Sequence, residues 1–221
     1  MNTTLTDMQR HRKLIKNPNL RHAIEDIYSG FPIIIVDDFD RENEGDLMIA
    51  GIRATTKNIA FMCRYGRGIM CLPTSGEILD RLEIPMMVPI EDSNDPLETP
   101  FTVSVDAIEG ITTGVSASDR VKTIQEMCHP ESRAADLQKH GHLFPLRARD
   151  NLLEDRQGHT EASVALTRML NYTEVAVISE IMNEDGTMAR LPELQVLAAE
   201  HQLHIISIEE VIEELGIETS N

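Results

Sequence analysis

A dense run of carboxylates directly after a short apolar segment is the stretch of this chain most able to do chemistry. The apolar segment "PIIIV" (residues 32–36) has the composition of a buried strand, and Arg41 lies within the acidic run that follows. Six carboxylates fall within the next ten residues: Asp37, Asp38, Asp40, Glu42, Glu44 and Asp46. Carboxylates without cysteine neighbours favour a hard cation with oxygen ligands, such as Mg²⁺ or Mn²⁺. Because Mg²⁺ usually takes only one or two protein carboxylates, most of the six would not bind it directly.

An ordinary solvated loop is the alternative, and three features weigh against it. The run follows a buried strand, where α/β sheets tend to place ligand sites. Gly45 can allow close approach of a ligand to the backbone, and Arg41 can pair with a carboxylate or with an anionic ligand. In an extended chain the alternate carboxylates would share one face, which needs cations or bulk water. We therefore expect a site that is poorly satisfied and mobile until cation and substrate bind.

Three further segments carry polar groups at places where a ligand could bind. In "EGITTGVSASDR" (residues 109–120), hydroxyls and free N–H groups at a predicted helix start can bind an anion, although a plain turn and helix cap fit equally well. In "KHGHLFPLRA" (residues 139–148), His140 and His142 are either surface residues or partly buried groups with a shifted pKa.

The third segment, "EDRQGHTEAS" (residues 154–163), lies at the predicted start of another helix. Arg156 and Thr160 are natural phosphate partners, and His159 is either a metal ligand or a neighbour of the helix cap. Glu161 alone is typical of a first-turn carboxylate. Glu180 ends the apolar strand "VAVIS", where a carboxylate is unusual unless it is paired or functional. Together these groups indicate metal-assisted chemistry on a sugar phosphate, without naming the reaction.

Strands and helices in near alternation predict an α/β (α+β layered) fold, a single domain with a mixed β-sheet flanked by helices. The turn "NEDG" after Ile181 favours an antiparallel return through residues 187–190. A capping box from Thr74 to Glu77 is expected to open one helix. The predicted strands are "PIIIV", "IMCL", "FTVSV", "EVAVISEI" and "LHIISI". The predicted helices are residues 20–28 (closed by Gly30), "TTKNIAFMCRY", "TSGEILDRL", "SASDRVKTIQEM", "HTEASVALTRML", "LPELQVLAAEHQ" and "EEVIEEL".

Composition limits the class of protein and its partners. The 221 residues carry 20 basic and 37 acidic side chains, a net charge of −17, which argues against nucleic acid. The chain lacks an apolar run long enough for a membrane span or a signal peptide. Three cysteines without a CxxC pair favour a reduced, cytoplasmic protein. We expect one domain over residues 1–221, with residues 1–18 as a flexible extension and residues 89–100 as an exposed loop and candidate lid.

Five stretches, in order, give the chain a specific family resemblance. They are "DDFDRENEGDL", "GITTGVSASDR", "GHLFPLRA", "QGHTEASV" and "NEDGTMAR". Together they closely resemble 3,4-dihydroxy-2-butanone 4-phosphate synthase of riboflavin biosynthesis, from about residue 20 to about residue 215. The length fits the single-function form, which has no fused GTP cyclohydrolase II domain.

This resemblance implies a lyase that converts D-ribulose 5-phosphate to L-3,4-dihydroxybutan-2-one 4-phosphate and formate with Mg²⁺ or Mn²⁺, one or two ions per site. It also implies a homodimer with active sites near the subunit interface. The metal ligands by resemblance are Glu42 and His159, and His142 and Glu180 match positions essential for catalysis. The implied substrate contacts are Arg41, Glu42, Asp46, Thr113, Arg156, Gly158, His159, Thr160 and Glu180.

The implied reaction is formation of an enediolate at C3, loss of the C1 hydroxyl as water, a rearrangement that joins C3 to C5, and departure of C4 as formate. Asp46 or a nearby carboxylate is the expected base, and His142 with Glu180 the expected proton shuttle. The chain departs from the usual motifs at Phe39, His140 and Ser179, none of which removes an implied ligand. A catalytically silent sugar-phosphate binder and a related enzyme acting on another ketose phosphate are the remaining alternatives.

Overall fold

A mixed β-sheet forms the centre of the molecule. The structure, a computed structural model, describes residues 14–218, so most of the predicted extension over residues 1–18 lies outside the described residues. The strands are β1 Ile33–Val36, β2 Gly45–Ala50, β3 Arg67–Thr74, β4 Val105–Ala107, β5 Leu137–Lys139, β6 Phe144–Arg147, β7 Ala176–Ile181 and β8 Ile205–Ser207. Six of them form one sheet in the order β6-β3-β7-β2-β1-β8, and β4 pairs with β5 separately. Because β1–β8 and β3–β6 are parallel and the other pairs antiparallel, the predicted mixed sheet is confirmed.

Helices cover both faces of this sheet. They are α1 Pro18–Ser29, α2 Thr56–Tyr65, α3 Gly76–Arg81, α4 Ala117–Cys128, α5 His159–Met169, α6 Leu191–His201 and α7 Ile208–Leu215. Alternate residues of a strand point to opposite faces, so Ile33 and Ile35 pack under α1, α5 and α7 while Ile34 packs under α2, α4 and α6. The predicted layered α/β fold follows from this two-sided core. No helix within residues 14–218 is both long enough and apolar enough to cross a membrane.

The ends of several helices follow their sequence signals. Gly30 ends α1 with a left-handed φ of 80°, which glycine adopts without a side-chain clash. Thr55 caps α2, and the Ser116 hydroxyl accepts the Asp119 N–H at the start of α4. The predicted capping box at Thr74 is wrong. Thr74 is the last residue of β3, and its hydroxyl donates to the Leu72 carbonyl at 2.7 Å. The N-cap of α3 is therefore Ser75, one residue after the predicted cap, and its side chain makes no capping hydrogen bond.

Two predicted strands are shorter than expected. Of "FTVSV" (residues 101–105) only Val105 belongs to a strand, which continues to Ala107, and Phe101 and Thr102 make isolated bridges. The antiparallel return through residues 187–190 reduces to a single bridge between Met182 and Met188.

The acidic run is the loop of a hairpin, not an extended strand. β1 turns back into β2, a strand not predicted from the sequence, and Val36 pairs with Gly45. The carboxylates between them therefore point in different directions. The side chain of Asp46, the second residue of β2, faces the same core as Met48 because the two residues are two positions apart.

Helix α5 is buried on every side over residues 159–167, whereas a surface helix buries only one face. Residues 159–167 are all buried, and the helix packs against the sheet, α7 and the short 3₁₀ turn at residues 152–154. Its first turn therefore enters the interior close to the end of the β1–β2 hairpin. That placement brings His159, Thr160 and Glu161 to the site described next.

Candidate active site

A cavity of about 150 Å³ lies where the β1–β2 hairpin, β7 and the start of α5 meet. Both polar and apolar side chains line it, which suits a small, oxygen-rich ligand. The lining residues are Arg41, Glu42, Glu44, Asp46, Cys71, Thr99, Phe101, Leu146, Arg156, His159, Thr160, Ile178 and Glu180. Most of the residues that the resemblance assigns to substrate or metal are thus in one cavity of a single chain.

Two carboxylates face each other across neighbouring strands at the floor of this cavity. Asp46 on β2 is the direct register partner of Glu180 on β7, and like charges directly opposite destabilise a sheet. Burial is the main cause that raises the pKa of Asp46 to about 7, and burial also raises the pKa of Glu180. Glu180 Oε2 is buried without a hydrogen-bond partner among the described residues. A pair of this kind can hold and pass a proton near neutral pH.

A candidate cation site lies beside that pair. Ligand atoms of Asp37, Glu42 and His159 all lie within 4.8 Å of one another, and His159 Nδ1 is 3.3 Å from Glu42 Oε2. The hydrogen bond with His159 is the main cause that lowers the pKa of Glu42. Burial would lower the pKa of His159, but the charges of nearby carboxylates, Asp46 first, outweigh it and raise that pKa.

The same residues fit a hard divalent cation. Two carboxylates and one imidazole are donors that Mg²⁺ and Mn²⁺ accept. His159 Nε2 is buried and has no hydrogen-bond partner within the described part of the chain, so the ring has binding capacity that the protein itself does not use. The sequence predicted Glu42 and His159 as ligands, and the structure adds Asp37 to their neighbourhood.

The acidic loop is better satisfied than the sequence suggested. The buried carboxylate of Asp37 accepts the Glu42 N–H at 2.9 Å, the Glu44 N–H at 2.8 Å and Arg41 Nη1 at 2.9 Å. Arg190, which precedes α6, donates to the Glu42 carbonyl at 2.8 Å and to the Asn43 carbonyl. The expected poor satisfaction is therefore wrong for the loop backbone, which one carboxylate organises, whereas Glu180 Oε2 and His159 Nε2 of the site have no partner among the described residues. The expected mobility stays a prediction.

Two arginines also line the cavity, and one of them, Arg41, is 2.9 Å from both Asp37 Oδ2 and Glu42 Oε2. Arg156 and Arg41 both approach Gly158, where a Cβ atom would overlap Arg156 Nη1 and would lie 3.1 Å from Arg41 Nη2. Gly158 also leaves the first turn of α5 without a side-chain cap, so free N–H groups beside Thr160 are available to an anion. Glycine at this position thus lets two guanidinium groups and a helix start converge.

One end of the candidate lid reaches the cavity. Thr99 is a lining residue, and the Leu97 carbonyl accepts Arg156 Nε at 3.1 Å. The loop is folded on itself, because Asp95 accepts the Leu97 N–H at 3.0 Å and the Thr99 N–H at 2.7 Å. Its predicted role in closing over substrate stays a prediction.

The second predicted catalytic residue, His142, lies in a separate cluster. His142 Nδ1 is 2.7 Å from Asp106 Oδ2, and the same carboxylate accepts the His142 N–H at 3.0 Å. Gly114, with φ of 92°, packs against both side chains, and the neighbouring Thr113 is exposed. Neither His142 nor Thr113 lines the cavity that contains Glu42 and Glu180. Within one chain, the segment around residues 109–120 therefore does not line the same pocket as the acidic loop.

Several residues of both clusters were not identified from sequence. Asp37 was not among the implied metal ligands, although its place directly after β1 was a usable signal. Asp106 follows the predicted strand "FTVSV" and carried no signal of its own. Arg190 is the last residue of "NEDGTMAR", so the motif contained it without revealing its contact. Glu161 gave only the signal of a first-turn carboxylate.

Comparison with known sequences agrees with this geometry. The family profile described as 3,4-dihydroxy-2-butanone 4-phosphate synthase matches residues 21–214. The chain is 46% identical over 193 residues to a protein of that name from Agrobacterium fabrum, covering 87% of this chain and 90% of the relative. It is 48% identical over 194 residues to the monofunctional riboflavin biosynthesis protein RIBA 2, chloroplastic, of Arabidopsis thaliana, covering 88% of this chain and 41% of the relative. The chain thus spans less than half the length of that plant relative.

Solved structures give the same result for the fold. A crystal structure of a 3,4-dihydroxy-2-butanone 4-phosphate synthase in complex with two magnesium ions matches with a TM-score of 0.83 and 36% identity. The match covers 89% of this chain and 95% of the other. The synthase of Candida albicans has a TM-score of 0.81 and 38% identity, covering 91% of this chain and 98% of the other. From the matched motifs, the profile and the shared fold, the chain belongs to the 3,4-dihydroxy-2-butanone 4-phosphate synthase family.

Proposed function

We propose that this chain is a lyase of riboflavin biosynthesis that converts D-ribulose 5-phosphate to L-3,4-dihydroxybutan-2-one 4-phosphate and formate. One observation carries the proposal: a single cavity joins a candidate cation site, a proton-holding carboxylate pair and two lining arginines. A phosphorylated ketose needs all three, because its hydroxyls suit a hard cation, its phosphate suits arginine, and its chemistry begins with proton removal.

Glu42 and His159 are the residues that would hold Mg²⁺ or Mn²⁺, with Asp37 beside them. A divalent cation, when bound, supplies positive charge that steadies adjacent substrate oxygens and the negative charge left when a proton departs from carbon. We include two ions per site in the proposal, since the related structure with two magnesium ions has the same fold.

Arg156, Arg41, Thr160 and the N–H groups of α5 bind and orient the phosphate in this proposal. Charge-assisted hydrogen bonds from guanidinium groups, together with a helix N-terminus, favour a dianionic ligand. Orientation by the phosphate end places the carbon chain along the floor of the cavity. The apolar lining, which includes Phe101, reduces the water available to the reactive intermediates.

Asp46 and Glu180 carry the proton transfers. Asp46 accepts the C3 proton, and Glu180 with His142 returns a proton to the C1 hydroxyl, which leaves as water. C5 then migrates from C4 to C3, so the C4–C5 bond breaks as the C3–C5 bond forms and C4 becomes an aldehyde. A water molecule adds to C4, the C3–C4 bond breaks to release C4 as formate, and C3 keeps the bonding electrons and takes up a proton. Because both floor carboxylates have raised pKa values, one of them can be a proton donor while the other is a base.

A homodimer is part of the same proposal. His142 is far enough from the cavity to lie outside its lining, yet the resemblance assigns it an essential role. A second copy that brings its own His142–Asp106 pair and Thr113 to the cavity reconciles the two. We also propose a single domain and a cytoplasmic location; Cys63 is exposed and Cys71 and Cys128 are buried, all as free thiols.

The deciding experiment is incubation of the purified chain with D-ribulose 5-phosphate and Mg²⁺, followed by formate detection, and a repeat with excess EDTA. Metal-dependent formate release is the expected result. Binding of ribulose 5-phosphate without formate would instead favour the catalytically silent relative. Formate release from another ketose phosphate, but not from ribulose 5-phosphate, would favour a related enzyme with a different substrate.

A further inference from the structure

We propose that Glu161 is a positioning residue that fixes Arg156 for the anionic end of the substrate. The proposal rests on the proposed function in one respect, namely that Arg156 binds phosphate. Glu161 Oε2 accepts Arg156 Nη1 at 2.7 Å, and Glu161 Oε1 accepts the Arg149 N–H at 3.2 Å. The side chain of Glu161 is fully buried and that of Arg156 is 11% exposed.

Dipole compensation alone does not explain this carboxylate. A first-turn carboxylate that compensates a helix dipole is normally exposed and contributes little, whereas a carboxylate without solvent pays a large desolvation cost unless it is paired and hydrogen-bonded. Glu161 is held by two donors, one on each oxygen. Such an arrangement fixes the direction of the guanidinium group more strictly than an exposed pair would.

The remaining contacts of Arg156 complete its orientation. Its Nε donates to the Leu97 carbonyl at 3.1 Å, and its Nη1 lies against Gly158. Among the described residues Nη2 has no hydrogen-bond partner. Two of the three guanidinium nitrogens are thus held by protein oxygens, and the third is left for a ligand in the cavity that Arg156 lines. Pre-orientation of this kind reduces the entropy lost when the ligand binds.

Glutamine in place of Glu161 separates positioning from simple space filling. A carboxylate offers an acceptor to both Arg149 N–H and Arg156 Nη1, whereas an amide has one acceptor oxygen and a donor NH₂ group. The variant E161Q keeps the shape of the side chain but leaves one of the two donors facing another donor. Arg156 then samples other orientations.

The test is a double-mutant cycle of E161Q and R156Q, read by calorimetric binding of inorganic phosphate and by steady-state formate release. We expect E161Q to weaken phosphate binding and to raise KM about tenfold, with kcat changed by less than about threefold. In the R156Q background E161Q should have no further effect, since the residue that it positions is gone. E174Q, which removes the exposed Arg168–Glu174 pair at the other end of α5, is the control and should match the wild type.

Equal losses from E161Q in both backgrounds, or a fall in kcat at unchanged KM, would overturn the proposal. Thermal melts of each variant establish that the fold is kept. If E161Q does not fold, E161D replaces it in the same cycle. E161D retains both acceptor oxygens on a shorter side chain, so it should raise KM by less than the tenfold expected of E161Q. Phosphate affinity does not depend on turnover. A wild-type chain that releases no formate would therefore contradict the proposed function, while the phosphate-binding cycle would still test whether Glu161 positions Arg156.

Discussion

At the scale of single residues, the site depends on which carboxylates the fold buries and which it leaves in water. Six carboxylates in the hairpin region look alike in sequence, yet Asp37 organises the loop, Glu42 lies beside His159, and Asp46 has a strongly raised pKa. Asp40 is exposed. Burial, which a local pattern does not fix, therefore decides the role of each.

Replacing Glu42 or His159 with alanine is expected to lower formate release by at least a factor of about one hundred, because each removes a proposed metal ligand. Calorimetric titration with Mn²⁺ should show a matching loss of affinity. D40A is the matched control, since it removes an exposed carboxylate of the same loop and should leave turnover unchanged. Wild-type turnover by either ligand variant would disprove the metal assignment.

Stability of the metal-free chain should report the raised pKa of Asp46. Between its ordinary value of 3.8 and about 7 the folded chain keeps a proton that the unfolded chain has released, so the free energy of unfolding falls as the pH rises through that window. D46N removes this penalty. In EDTA at pH 8 we expect the variant to be more stable than the wild type by on the order of 2 kcal/mol.

At pH 4, close to the ordinary pKa of 3.8, the same comparison should give a much smaller difference, because Asp46 is protonated in the folded chain and still partly protonated in the unfolded chain. Denaturant unfolding at the two pH values measures the change. An equal difference at both pH values would mean that the effect comes from packing and not from ionisation.

At the scale of elements, the hairpin and helix α5 bring the site together, and Arg190 connects the hairpin loop to α6. Most helices were predicted from periodicity and caps, since those signals are local. Strand β2 was missed because it is a short apolar segment directly after a carboxylate-rich run. The strand predicted at residues 101–105 was placed too early, because pairing with β5 begins only at Val105.

Removing the tether at Arg190 is expected to weaken cation binding about tenfold while the chain stays folded. The guanidinium donates to the carbonyls of Glu42 and Asn43, so R190Q should free the loop that presents Glu42. The matched control is R81Q, because the Arg81 guanidinium also donates to a backbone carbonyl, that of Ser132. Titration with Mn²⁺ compares them, and equal affinities in the two variants would contradict a positioning role for Arg190.

At the scale of the whole molecule, the chain carries two polar clusters that one copy does not join. The first contains Glu42 and Glu180, and the second contains His142 and Asp106. In a symmetric dimer with shared sites, each cavity would take Glu42 from one subunit and His142 from the other. Dimerisation and catalysis would then be inseparable.

Complementation tests this arrangement directly. E42A and H142A should each be inactive, but a mixture unfolded and refolded together should regain about a quarter of wild-type turnover, because half of the dimers are hybrids with one intact site. Hybrids have no intact site if both residues act within one subunit. Formate release from the refolded mixture measures the outcome, and the separately refolded variants are the controls.

The sequence by itself determined the residue types, most helices and the family, since motifs, caps and hydrophobic periods are local properties of the chain. Tertiary structure alone decided that Asp46 faces Glu180, that Asp37 anchors the loop, that Glu161 holds Arg156, and that His142 lies apart from the cavity. These depend on strand register and on burial, and both arise from contacts between residues distant in sequence. The acidity of a carboxylate is therefore set by the fold around it and not by its neighbours in the chain.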